Sequence, residues 1–173
     1  LYTNKTKEEK DQIFEKLVWQ LWEEKKNNFD KDKWNDYIDE ISREVQTIKD
    51  INHSDYFLID YHIVKKAIEK GGEITYSGRG SAGGFMLNNI LGFTTMDVVS
   101  SPVKLYPERF LSKTRILETK SMADIDLNFG TPEIAVEAQE EVMGEGHSYW
   151  MLTYGTYKAK AAWKMFAKAQ NIS

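Results

Sequence analysis

Apolar residues in the first third of the chain recur at helical spacing. In EEKDQIFEKLVWQLWEEKK, Ile13, Leu17 and Leu21 fall every four positions with Phe14, Val18 and Trp22 beside them, which predicts one helix with a single apolar stripe. WNDYIDEISREVQTIKDI repeats the pattern with Trp34, Ile38, Ile41, Val45 and Ile48. A third helix is expected over YFLIDYHIVKKAIEK, ending at Gly71-Gly72 as a helix C-terminus should. The pattern changes there. EITY reads as a short strand, SGRGSAGG as a glycine-rich loop and FMLNNILGF as the start of another helix. In ADIDLNF, apolar and polar residues alternate strictly: Ile125, Leu127 and Phe129 should enter a core while Asp124, Asp126 and Asn128 share the opposite face of a strand. Beyond Gly130 the pattern predicts a helix with Ile134 and Val142, a strand over SYWMLTY and a basic helix from Thr156.

Composition narrows the classes open to such a chain. With 173 residues, 41% hydrophobic and 13% aromatic, it can bury a proper core. The absence of cysteine excludes a disulfide framework, a thiolate metal site and a cysteine nucleophile. No segment approaches the roughly 20 apolar residues of a membrane span, and LYTNKTKEEK has no signal-peptide core, so the expectation is a cytoplasmic protein with no membrane partner. The start at Leu1 and the stop at Ser173 after a helical pattern suggest a piece of something larger. The net charge of −4 argues against indiscriminate nucleic-acid binding. Its distribution is uneven: Ser121 to Glu145 carries acids without bases, whereas Lys158, Lys160, Lys164 and Lys168 stand among no acids. A solvated helix face gives the same pattern.

Strand, glycine loop and helix together form an arrangement that binds phosphate, because glycines admit close backbone approach and helix N–H groups point at the anion. Gly78, Gly80 and Gly83 satisfy the spacing of the dinucleotide fingerprint, but the nearest downstream acid, Asp97, falls too early. No Lys-Ser/Thr follows the glycines, which excludes a P-loop, and Arg79 occupies the first glycine position of the hydrolase elbow. A glycine turn packed on a neighbour remains the bland alternative. In the acid strand, carboxylates at i and i+2 have Cα atoms about 6.5–7 Å apart, near enough for both to reach divalent ions. Oxygen ligands without cysteine or clustered histidine favour Mg²⁺ or Mn²⁺ over Zn²⁺. An exposed polar strand face is again the competing reading.

GRGSAGGFMLNNILGFTTMD, PERFL, SMADIDLNF and LTYGTYKAKAAW, in that order, resemble the alpha subunit of bacterial DNA polymerase III, the C family of replicative polymerases, whose pattern is approximately GRGSAAGS, ITDVDPL, FERFLNPER, MPDIDIDF and TFGTMAAKA. The likeness runs from about Ser42 to Lys164. It implies a divergent or phage member and an α+β fold, helices packed on a small mixed sheet like the polymerase-beta nucleotidyltransferase palm, with the start of a helical thumb. The implied divisions are 1–50 as the helical N-terminal part of the palm, 51–130 as the palm core and 131–173 as the beginning of the thumb.

Asp124 and Asp126 would then be the catalytic aspartates holding two Mg²⁺ (or Mn²⁺) ions, and Gly80 and Ser81, with Arg79 beside them, would grip the triphosphate. Arg109 and Lys160 would lie near phosphates, and Lys158, Lys164 and Lys168 along the DNA. The implied reaction is template-directed nucleotidyl transfer by a DNA-directed DNA polymerase. Its partners would be primer-template DNA, deoxynucleoside triphosphates and other replisome subunits. The sequence departs from the pattern where Ala123 replaces the usual proline, where Asn128 replaces the last acid and where ILETK lengthens a connection. The family's third aspartate lies further downstream, so the fragment alone is expected to bind metal-nucleotide weakly and to polymerise little or not at all. His53, His62 and His147 are scattered and read as structural or surface residues. Two other classes stay open. A Rossmann-like dinucleotide-binding domain predicts NAD binding without metal, and a non-catalytic helical interaction module predicts that the loop and the acids are incidental.

Overall fold

The computed structural model describes residues 1–75, 80–103, 105–120 and 122–172. Eight α-helices appear among them: α1 (Lys7–Lys25), α2 (Trp34–Asp50), α3 (Ser54–Glu69), α4 (Met86–Ile90), α5 (Pro107–Phe110), α6 (Lys113–Thr119), α7 (Pro132–Met143) and α8 (Ala159–Ala169). The expected mixed β-sheet is not present among the described residues. Extended structure there pairs at one isolated antiparallel bridge, Ile74 with Phe129, so the α+β reading is corrected to a helical fold. Among the described residues the expected strands find few partners. Segment 122–128 forms neither helix nor strand, and the 73–75 stretch meets its end through Thr75 N–H to the Asn128 carbonyl at 2.9 Å and Gly130 N–H to the Glu73 carbonyl at 2.8 Å, while Tyr76, the last residue of EITY, lies outside the described residues. A strand needs a continuous row of such bonds along a neighbour. SYWMLTY is likewise no strand; Tyr149, Trp150, Met151, Leu152 and Tyr154 are all exposed.

The three long helices lie where their apolar stripes predict. Thr6 and Glu9 start α1 with a reciprocal capping box. Its buried side chains are Phe14, Val18, Leu21 and Trp22, with Ile13 and Leu17 at the margin, so the stripe is rotated slightly from its simplest reading. On α2 the core takes Tyr37, Ile41, Val45 and Ile48 and leaves Ile38 at the surface. Tyr37 is admitted because its hydroxyl donates to Asp97 at 2.6 Å and contacts Ser100 Oγ at 2.8 Å. Burial beside that carboxylate pushes the Tyr37 pKa up to about 12. The α3 helix ends at Gly71, whose φ of +86° suits only glycine without strain. Each fully buried large apolar side chain contributes about 1.5–3 kcal/mol.

The five-residue α4 is too short to be stable by itself. Two charges from distant helices hold it. Glu44 of α2, fully buried, accepts from the N–H groups of Met86 at 3.0 Å and Leu87 at 2.7 Å. At the other end, Lys25 of α1 donates to the carbonyls of Ile90 at 2.8 Å and Asn89 at 3.3 Å. An acid at the N-terminus and a base at the C-terminus both oppose the helix dipole favourably. Burial pushes the Glu44 carboxyl well above its ordinary range and lowers Lys25, although the two N–H donors pull Glu44 the other way.

The acidic run is partly explained by the packing of α7 on α3. Lys70 reaches Glu141 at 2.5 Å and Glu137 at 3.3 Å, and Lys66 reaches Glu141 at 3.5 Å. These pairs are exposed and contribute little energy. No helix among the described residues is long and apolar enough to cross a membrane.

Candidate functional site

The glycine turn and the acid segment, more than 40 residues apart in sequence, meet in space. Gly80 has φ +65°, and a Cβ placed on it would stand 2.1 Å from Oδ2 of Asp126. The carboxylate therefore occupies the space that a side chain at position 80 would fill. Asp126 is half-buried there, whereas Asp124 and Asn128 are exposed. Ile125, Leu127 and Phe129 pack against the core, as the alternation of ADIDLNF requires. Beside Gly80, Ser81 opens a short 3₁₀ turn in which Gly84 N–H donates to the Ser81 carbonyl at 3.0 Å and Phe85 N–H to the Ala82 carbonyl at 3.3 Å. The buried Asn88 closes the turn from below, donating from Nδ2 to the Ala82 carbonyl at 2.7 Å.

The helix that follows the loop does not offer its N-terminus to an anion. Glu44 already accepts from the Met86 and Leu87 N–H groups, so an anion at this loop would have to be met by the turn at Gly80 and Ser81. The sequence holds a signal for this. Glu44 is an acid on the apolar stripe of α2, between Ile41 and Ile48, where a charge must have a buried partner.

The other expected site residues divide into three groups. Gly78 and Arg79 lie outside the described residues. Arg109 is an exposed residue of α5. Lys158, Lys160, Lys164 and Lys168 lie on α8 or at its start, all exposed, and the described packing does not carry them to the Gly80 turn. Asp97, the acid nearest to dinucleotide spacing, is committed within its own loop: besides Tyr37 it accepts from the N–H groups of Val99 at 3.1 Å and Ser100 at 3.0 Å. His62 contacts the Tyr2 hydroxyl at 2.8 Å, while Nδ1 of His53 and of His147 each face a nearby carbonyl. Among the described residues no group of three or more histidine, cysteine or acidic side chains could hold a metal ion.

One acid that the pattern did not single out lies close by. Asp60 of α3 is pushed up to about 7 by burial, against the opposing pull of Tyr56. Its folded pKa stands above the ordinary 3.8, so its contribution to stability is full below about pH 4 and is lost as pH rises through about 7. The melting temperature is therefore expected to fall between pH 5 and pH 8. Asp60→Asn should flatten that fall, leaving the same-signed slope of Glu44, and thermal scans of both chains at the two pH values measure it. An acid inside the apolar run YFLIDYHIV was the available signal.

The fold and the site together define a helical domain that holds Asp126 against a glycine turn, with Asp124 exposed beside it. The chain belongs to the family described as the bacterial DNA polymerase III alpha NTPase domain, whose model matches residues 12–173. It is 35% identical over 141 residues to the DNA polymerase III subunit alpha of Bacillus subtilis (strain 168), covering 79% of this chain and 12% of that protein. It is 30% identical over 165 residues to the subunit of the same name from Campylobacter jejuni, covering 94% of this chain and 13% of the relative. An error-prone DNA polymerase of Bdellovibrio bacteriovorus is 33% identical over 133 residues, 76% of this chain and 12% of that protein. The chain thus spans about an eighth of the length of these relatives. No solved structure matches it.

Proposed function

We propose that this chain is the part of a replicative DNA-directed DNA polymerase that carries two aspartates and the triphosphate-binding turn of a metal-dependent nucleotidyl-transfer site. The observation that carries the reading is the seat of the Asp126 carboxylate against Gly80, which joins the acid segment to the glycine turn. Membership of the polymerase III alpha family supplies the reaction class. The donor set fits a hard divalent cation: two carboxylates at alternate positions, one exposed and one half-buried, with no soft ligand. Asp124 and Asp126 would hold Mg²⁺ or Mn²⁺, two ions in the intact enzyme. Bound there, divalent ions supply charge stabilisation to the transferring phosphoryl group.

The chain's own residues do the rest. Gly80 and Ser81 bring main chain close to the triphosphate, with Arg79 beside them, and Arg109 and Lys160 balance phosphate charge. Lys158 at the N-cap of α8, with Lys164 and Lys168 on the same exposed helix, would follow the primer-template backbone. In this reading 1–50 and 51–130 form a palm, and 131–173 begin a thumb.

Titration of a deoxynucleoside triphosphate into the chain with and without Mn²⁺, with NAD as control, tests it. The expected result is triphosphate binding that appears with Mn²⁺ and no binding of NAD. Metal-independent NAD binding would overturn it in favour of a dinucleotide-binding domain.

A further inference from the structure

Tyr56 stands on α3, facing the acid segment. Its hydroxyl donates to the main-chain carbonyl of Ala123 at 2.9 Å, a contact across 67 residues of sequence. Ala123 immediately precedes Asp124. The hydroxyl therefore holds the main chain next to the residue whose exposed carboxylate would bind the ion, leaving that carboxylate to solvent.

The rest of the segment explains why such a hold matters. Among the described residues, its main-chain pairing to the 73–75 stretch lies at the far end, from Asn128 to Gly130. Ala123 is buried, which anchors a small side chain only. The Tyr56 ring is itself fixed, edge-on to Phe57 at 5.7 Å and to His53 at 6.1 Å, and Asp60 one turn later acts on its hydroxyl.

We propose that Tyr56 is a positioning residue for the acid pair, a clamp from α3 that fixes the main chain at Ala123, next to Asp124, and so holds its carboxylate in register with Asp126. The inference rests on the reading that these two acids bind a divalent ion. Tyr56→Phe keeps the ring and its packing and removes only the hydroxyl.

Two measurements on the whole chain separate the possibilities. Amide hydrogen exchange reads the clamp directly, and Mn²⁺ titration followed by electron paramagnetic resonance reads its consequence, with Asp124→Asn/Asp126→Asn as the reference for loss of the site. The expected result is at least about tenfold faster exchange within 122–127, unchanged exchange in α1 and α2, and Mn²⁺ affinity weakened about fivefold. Unchanged exchange in 122–127 would overturn the clamp whatever the metal does. Faster exchange with unaltered Mn²⁺ affinity would overturn its service to the acid pair. Equal Mn²⁺ binding by the wild type and the double asparagine variant would instead remove the ion site itself, and the positioning role with it, a failure told apart from the others by the reference variant.

Discussion

Asp124→Asn/Asp126→Asn is expected to abolish the Mn²⁺-dependent part of triphosphate binding, by at least about a hundredfold, while leaving the fold intact. Asp124 is exposed and Asp126 half-buried, and neither is matched by a described cationic partner. As the proposed ligands they would contribute several kcal/mol of attraction to a divalent ion, and each 1.4 kcal/mol is tenfold in affinity. Asparagine has nearly the same shape, so Ile125, Leu127 and Phe129 keep their places in the core. Removing two neighbouring negative charges is neutral or slightly favourable for stability. Calorimetric titration with and without Mn²⁺, beside a thermal scan, measures both sides of the expectation. Metal-dependent binding that survives the double substitution would sink the assignment of the ion site to this segment.

Gly80→Ala is expected to weaken Mn²⁺-dependent triphosphate binding by about tenfold or more, for a reason separate from backbone strain. At φ +65° a side chain costs about 1–2 kcal/mol. The added methyl would also stand 2.1 Å from Asp126 Oδ2, so the carboxylate must rotate out of its seat. Gly146 provides the control, since its φ is +78° and an added Cβ there meets nothing within 4 Å. Gly146→Ala should lower the melting temperature to a similar degree and leave binding unaltered. Equal binding losses in the two variants would show that strain, and not the displaced aspartate, is the cause.

The helical scaffold was legible because its signal is local. The stripes of α1, α2 and α3 recur every three or four residues, and burial of a stripe is decided by that spacing. Gly71-Gly72 marked the end of α3 for an equally local reason. The sheet was misread because alternation fixes only which way side chains point. ADIDLNF does turn Ile125, Leu127 and Phe129 towards the core and leaves Asp124 and Asn128 exposed, but Asp126 is half-buried against Gly80, and among the described residues the segment pairs with the 73–75 stretch at one bridge. Pairing depends on a second segment lying alongside, which no pattern within one segment can state.

The sequence by itself determined the three amphipathic helices, the glycine turn, the alternation of acids and apolar residues, and the family likeness carried by ordered motifs. Only the tertiary structure decided that Asp126 fills the space left by Gly80, that Glu44 takes the N–H groups at the start of α4, and that the Tyr56 hydroxyl holds the main chain at Ala123. Each of these joins residues more than 40 positions apart. The pattern of a chain records the period at which one segment repeats, whereas a site forms from the distances between segments, and those are set when the helices pack.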